Sequence, residues 1–156
     1  MAVNIEPVLV RYLVGLFPSL AAADRAGDGL TVVTAPPEEI YAVLKTLRHE
    51  EPFSMDTLGD LTAVDYPDRL EVVYHLYSAA CGHKLAVKTS VAKGAAALPT
   101  VTGLWPAAEF AERETYDLLG VTFTGHPNLT RILLPEGFEG HPLRKDYSLP
   151  PRPATR

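Results

Sequence analysis

The residues able to do chemistry crowd into one stretch, Glu112 to Tyr147. Glu112, Glu114 and Asp117 lie close enough along the chain to act as an acid/base set sharing a proton. Arg113, Arg131 and Arg144 offer planar forks suited to carboxylates, and Lys145 and Asp146 add a pair of opposite charges. Two triplets, Gly125-His126-Pro127 and Gly140-His141-Pro142, sit in an echoed unit: Phe-x-Gly-His-Pro, then Leu, then Arg. A reaction also needs a pocket, a nucleophile or a cofactor. The chain has no Gly-rich phosphate loop, no Ser/His/Asp arrangement and no flavin or nicotinamide fingerprint.

The five histidines, His49, His75, His83, His126 and His141, raise the question of a metal. None has the i, i+4 spacing of a helical zinc pair, and the single cysteine, Cys81, supplies no thiolate set. A metal-dependent enzyme built on the histidines and carboxylates stays open as one reading. The other is that His126 and His141 donate hydrogen bonds to backbone carbonyls and lock two turns. Proline drives the residue before it out of the helical region and glycine admits a sharp turn, so the stretch after Gly120 is expected to be looped. No catalytic, cofactor-binding or metal-binding residue is assigned.

The elements that must position this stretch follow from periodicity. Gly103 and Pro106 mark the entry to a helix and Gly120 its left-handed exit. Leu104, Ala108, Ala111 and Leu118 recur on its buried side. Glu109, Arg113 and Asp117 are expected on an exposed ladder of alternating charge, and Phe110, Glu114 and Asp117 on one outward face. Upstream, a helix over Ile5 to Leu16, a strand over Leu30 to Thr34, and a helix over Glu38 to His49 capped by Thr34 are predicted. That second helix should bury Ile40, Val43, Leu44 and Leu47. Leu58 to Asp65, Arg69 to Ser78 and Lys84 to Ser90 read as antiparallel strands joined by short turns. Ala92 to Ala97 reads as a flexible link. The order implies an α+β fold: a mainly antiparallel sheet, helices packed on one face, and an extended C-terminal segment. We expect an α+β domain over residues 1–121 and a partner-docking segment over 122–156.

At 156 residues, with 47% hydrophobic and 21% charged residues, the composition is that of an ordinary globular chain. A net charge of −5 argues against nucleic acid as a partner. Val8 to Phe17, interrupted by Arg11, is too short to span a bilayer. Charge is uneven: Glu50 to Glu71 holds seven acidic residues and one basic, whereas His141 to Arg156 holds four basic and one acidic.

The string Glu112 to Tyr147 resembles the signature of the 30 kDa subunit family of respiratory NADH-quinone oxidoreductase, complex I, whose bacterial members are the C-type subunits. Asn128 and Thr130 stand where that family usually carries Asp and Arg. The resemblance implies a chain with no redox centre or active site of its own, packed in the peripheral arm. Its partners would be the quinone-site (D-type) subunit and the terminal iron–sulfur (B-type) subunit. The implied location is the cytoplasmic side of the membrane, reached only through the complex. Equivalent subunits serve membrane-bound hydrogenases and complexes fed by reduced F420 or ferredoxin. Glu112, Arg113, Glu114, Asp117, Gly125, His126, Pro127, Arg131, Gly140, His141, Pro142, Arg144, Lys145 and Asp146 are the expected docking residues. Alanine at Arg144 or Asp117 is expected to leave the isolated fold nearly intact.

Overall fold

The structure, a computed structural model, describes residues 2–25 and 27–151. Its sheet has the path β2 (Ala21–Asp24), β3 (Thr31–Thr34), β6 (His83–Ala92), β5 (Arg69–Ser78) and β4 (Thr57–Asp65). A short β1 (Val3–Asn4) also pairs with β6. β4, β5 and β6 form an antiparallel meander, with Leu61 opposite Tyr74 and Tyr74 opposite Val87. Contacts of β6 with β1 and β3 are parallel, so the sheet is mixed but mostly antiparallel, as the short turns required.

Alternation sets the two faces of this sheet. Leu70, Val72, Tyr74 and Leu76 of β5, with Leu85 and Val87 of β6, enter the main core. Three helices cover that face: α1 (Pro7–Leu16), α2 (Ile40–His49) and α3 (Ala108–Leu119). α2 delivers the four expected residues, Ile40, Val43, Leu44 and Leu47, each at most 1% exposed. Trp105, ahead of α3, is buried and donates its ring N–H to the Met55 carbonyl at 3.0 Å. That bond lets the largest side chain in the core keep its polar atom satisfied. On the other face Leu30, Val32, Val73 and Ala86 form a small cluster.

Several local expectations need correction. α2 begins at Ile40 rather than Glu38, and its N-cap position is Glu39, with no side-chain cap; Thr34 ends β3 instead. Ala92 to Ala97 is not a flexible link. Lys93–Ala95 makes a 3₁₀ turn, and β7 (Ala97–Pro99) pairs in parallel with β8 (Thr122–Thr124) in a two-stranded sheet. Leu98 and Phe123 of this pair are buried, so the small residues around them are held by core packing. β8 lies just past the expected boundary at residue 121. Cys81 is exposed after the end of β5, in the turn before β6. Arg152 and Arg156, half of the basic tail, lie outside the described residues.

Candidate docking surface

α3 leaves through Gly120 at φ +75°, and the Gly120 N–H returns to the Tyr116 carbonyl at 2.8 Å. A helix end leaves its last carbonyls without partners inside the helix. Here the C-terminal segment supplies them. His141 Nδ1 donates to the Asp117 carbonyl at 3.0 Å, the Leu143 N–H to Leu118 at 3.1 Å, and Arg144 Nε to Leu119 at 2.6 Å. The run His-Pro-Leu-Arg is thus laid along the negative end of the helix, where donors and cations are favoured. A Cβ at Gly120 would come within 2.5 Å of the His141 ring, so the glycine serves both the exit geometry and the close approach.

The first Gly-His-Pro triplet grips the same helix near its start. His126 Nε2 donates to the Glu109 carbonyl at 3.1 Å while Nδ1 accepts the Asn128 N–H at 3.0 Å. Both ring nitrogens are engaged, and the network assigns the proton to Nε2. The histidines therefore lock two turns, and the two echoed units grasp one helix eight residues apart.

Asp117 is the centre of the arrangement. Its Oδ1 accepts Arg131 Nη1 at 2.7 Å, and its Oδ2 accepts three successive backbone N–H groups, Ile132 at 3.1 Å, Leu133 at 2.8 Å and Leu134 at 3.0 Å. Burial alone would raise this carboxyl, but Arg131 and the three amides outweigh it and hold the group at about 2. Arg131 Nη2 reaches on to the Gly140 carbonyl at 2.9 Å, tying the two echoed units together. Asp117 is fully buried, not a member of the exposed ladder; the segment after Gly120 folds back over that side of α3. The expectation that alanine here would spare the isolated fold falls with it. Of the ladder only Glu109 and Arg113 remain, at a loose 3.9 Å.

Glu112 is the second buried carboxylate. It accepts the Val101 N–H at 2.7 Å and the Thr100 hydroxyl at 2.6 Å, closing the loop that leads into α3. Burial pushes its pKa up, and those two bonds, with His126 3.9 Å away, push back only in part. At that distance His126 and Glu112 share no hydrogen bond.

The expected docking residues thus separate into three kinds. Glu112 and Asp117 are buried. Arg113, Arg131, His126, His141, Pro142 and Arg144 are half-buried, with the arginines turned largely onto their own chain. Arg113 bonds the Thr130 carbonyl and hydroxyl, so the departure at Thr130 is absorbed internally. Glu114, Gly125, Pro127, Gly140, Lys145 and Asp146 are exposed. Sequence reasoning missed Asp65 of β4, which accepts the Lys145 N–H at 2.6 Å and meets Lys93 Nζ at 2.6 Å. It also missed the outward apolar residues Leu133, Leu143 and Leu149, which are 59–83% exposed; Phe110, expected on one face with Glu114, is 60% exposed. Among the described residues, no group of three or more His, Cys, Asp or Glu is arranged to hold a metal ion.

Fold and site together define an α+β scaffold whose most conspicuous charges and histidines serve its own backbone, with an apolar fringe facing out. Residues 33–153 match the family model described as the 30 kDa subunit of respiratory-chain NADH dehydrogenase. The chain is 43% identical over 142 residues to the C-type subunit of NADH-quinone oxidoreductase from Moorella thermoacetica, covering 90% of this chain and 93% of the relative. The same subunit of Roseiflexus castenholzii is 42% identical over 152 residues, covering 96% and 87%. A trypsin-resistant fragment (1–134) of Nqo5 superposes with a TM-score of 0.66 at 30% identity, covering 78% of this chain and 97% of the fragment. A chain of the membrane-bound sulfane sulfur reductase, an archaeal respiratory membrane complex, gives 0.77 at 26% identity, covering 91% and 85%. The protein belongs to the 30 kDa subunit family of respiratory-chain NADH dehydrogenase, the C-type peripheral subunits of complex I. Among the described residues no helix is long and apolar enough to cross a membrane.

Proposed function

We propose that this chain is a non-catalytic subunit of the peripheral arm of a proton-translocating NADH-quinone oxidoreductase. It supports electron transfer from NADH to quinone by positioning the quinone-site subunit and the terminal iron–sulfur subunit. It sits on the cytoplasmic side of the membrane through those partners alone. The relatives named as C-type subunits of NADH-quinone oxidoreductase support the assembly. The observation that carries the docking role is the segment after Gly120. Arg131, His126 and the amides of 132–134 bond inward to α3, while Leu133 at 61% and Leu149 at 83% exposure face outward and Lys145 and Asp146 are also exposed. A segment held inward by polar bonds that leaves several leucines bare is suited to another protein surface.

The test is recovery of the other subunits on a tagged full-length chain. Leu133→Asp and Leu149→Asp should each leave the isolated chain within about 0.5 kcal/mol of wild type, as exposed substitutions do. Recovery of the quinone-site and iron–sulfur subunits should fall several-fold. Wild-type recovery with both variants, or a redox group or turnover in the isolated chain, would overturn the reading. The likeness to a chain of the sulfane sulfur reductase favours a second reading, the equivalent subunit of a complex with another electron donor, hydrogen, reduced F420 or ferredoxin. NADH-dependent quinone reduction by the purified assembly separates the two.

A further inference from the structure

Among the described residues the sheet ends at β4, whose outer edge has no neighbouring strand. Edge strands are commonly blunted by bulges, lysines or prolines, because their free N–H and C=O groups invite another chain. β4 has an irregularity between Leu58 and Asp60, but from Asp60 to Asp65 its register with β5 is continuous and contains neither Lys nor Pro. Among the described residues no backbone hydrogen bond reaches Leu61 to Val64 from outside the sheet.

Asp60, Leu61 and Thr62 line a cleft of about 110 Å³. Consecutive strand residues point to opposite faces, so a cleft touching all three follows the edge of the strand rather than either face. Across it stand Ala111, Glu114 and Leu118 of α3, with Leu143 of the C-terminal segment. Leu143 is 59% exposed, and Phe110, one turn before Glu114 on α3, is 60% exposed. Leu61, Leu118 and Leu143 line the cleft beside two exposed carboxylates, Asp60 and Glu114, and its wall holds no lysine or arginine. The opposite edge of the sheet is different: β2 is only four residues long, and the groove beside it holds both Arg11 and Asp24.

We propose that the β4 edge receives an extended segment of another subunit, laid beside Leu61 to Val64 as an additional strand. An apolar side chain of that segment fills the cleft between Leu61 and Leu118, and a Lys or Arg reaches Asp60 or Glu114. Main-chain hydrogen bonds give such an addition its affinity and the side-chain pocket its selectivity. The inference rests on the reading of this chain as a docking subunit and names the chemistry of one partner segment.

Amide hydrogen exchange, compared between the full-length chain alone and the purified assembly, tests it. The peptide covering residues 60–65 should exchange at least tenfold more slowly in the assembly, while residues 21–24 of β2 stay unchanged. The double variant Asp60→Lys, Glu114→Lys should melt as wild type in isolation, abolish that protection and lower partner recovery several-fold. If residues 129–147 slow on assembly and 60–65 do not, docking stands and strand addition is overturned; a helix seated on Phe110 and Leu143 would give this result. If 60–65 slow but charge reversal changes nothing, the basic character of the segment is overturned. If neither region slows, the docking reading fails as well.

Discussion

The body of the molecule and its C-terminal segment are stabilised by different means. In the body, three helices and the sheet bury one continuous apolar cluster, and side chains such as Leu44, Tyr74 and Leu85 are at most 1% exposed. After β8 the described chain forms no helix or strand, and Leu133, Leu143 and Leu149 are exposed while Phe138 and Tyr147 are half-buried. Beyond the packing of Leu129 on the core and the stack of Phe138 on Tyr147, that segment is held by a short list of polar contacts to α3 and β4. The lesson is one of redundancy: the body spreads its stability over many weak contacts, and the segment concentrates it in a few strong ones. Single substitutions should therefore discriminate sharply between the two regions.

The largest effect is expected at Asp117. Asp117→Ala strands Arg131 and three amides in a covered site, a change of the kind that costs about 3–5 kcal/mol. The denaturant midpoint should fall, and limited proteolysis should open residues 129–147 before the body. Equal susceptibility of both regions would break the distinction. Next comes Gly120→Ala, which forces a side chain into the left-handed region and onto the His141 ring, at a cost of about 1–3 kcal/mol. Exchange of the Leu143 amide, bonded to Leu118, should quicken more than that of Val72 in β5.

A third test uses pH, with opposite signs for the two buried carboxylates. The folded pKa of Asp117 is depressed, so its stabilisation is present above the unfolded carboxylate value and is lost as pH falls from there through about 2. The folded pKa of Glu112 is raised, so its protonated form favours folding, and that contribution is lost as pH rises from the unfolded value through the folded one. Glu112→Gln should therefore gain on wild type in melting temperature as pH rises above the ordinary glutamate value of about 4.3. Asp117→Asn should lose on wild type as pH rises from 2 to 5, about the window in which the native charge develops. The smallest effect is expected at Cys81→Ser, on an exposed turn of the body, within about 0.5 kcal/mol.

Legibility from sequence followed the same division. The buried side of α2, the three long strands and the Gly120 exit could be read because each is encoded by nearby residues. β2 was not legible: its four residues, Ala21 to Asp24, are all exposed and show no alternation. β7 and β8 are three residues each and owe their pairing to a partner distant in sequence. Asp117 was misjudged for the same reason. Its acceptors are filled by amides 15 to 17 positions away, which helical periodicity does not report. Glu112 did carry a signal. It shares a helix line with Ala108, Thr115 and Leu119, all buried, and a carboxylate on such a line must have fixed donors. The exposed leucines of the C-terminal segment had no periodicity to mark them.

The paired grip on α3 has a mechanical corollary. One ring holds the carbonyl of Glu109 and the other that of Asp117, about 12 Å apart along the axis at 1.5 Å per residue. A rod clasped at two points resists tilting as well as sliding. Force applied at either turn from outside would pass to the whole rod, and through Glu112 to the loop at Thr100 and Val101. Strain at the rim of this protein therefore has a stiff route into its interior.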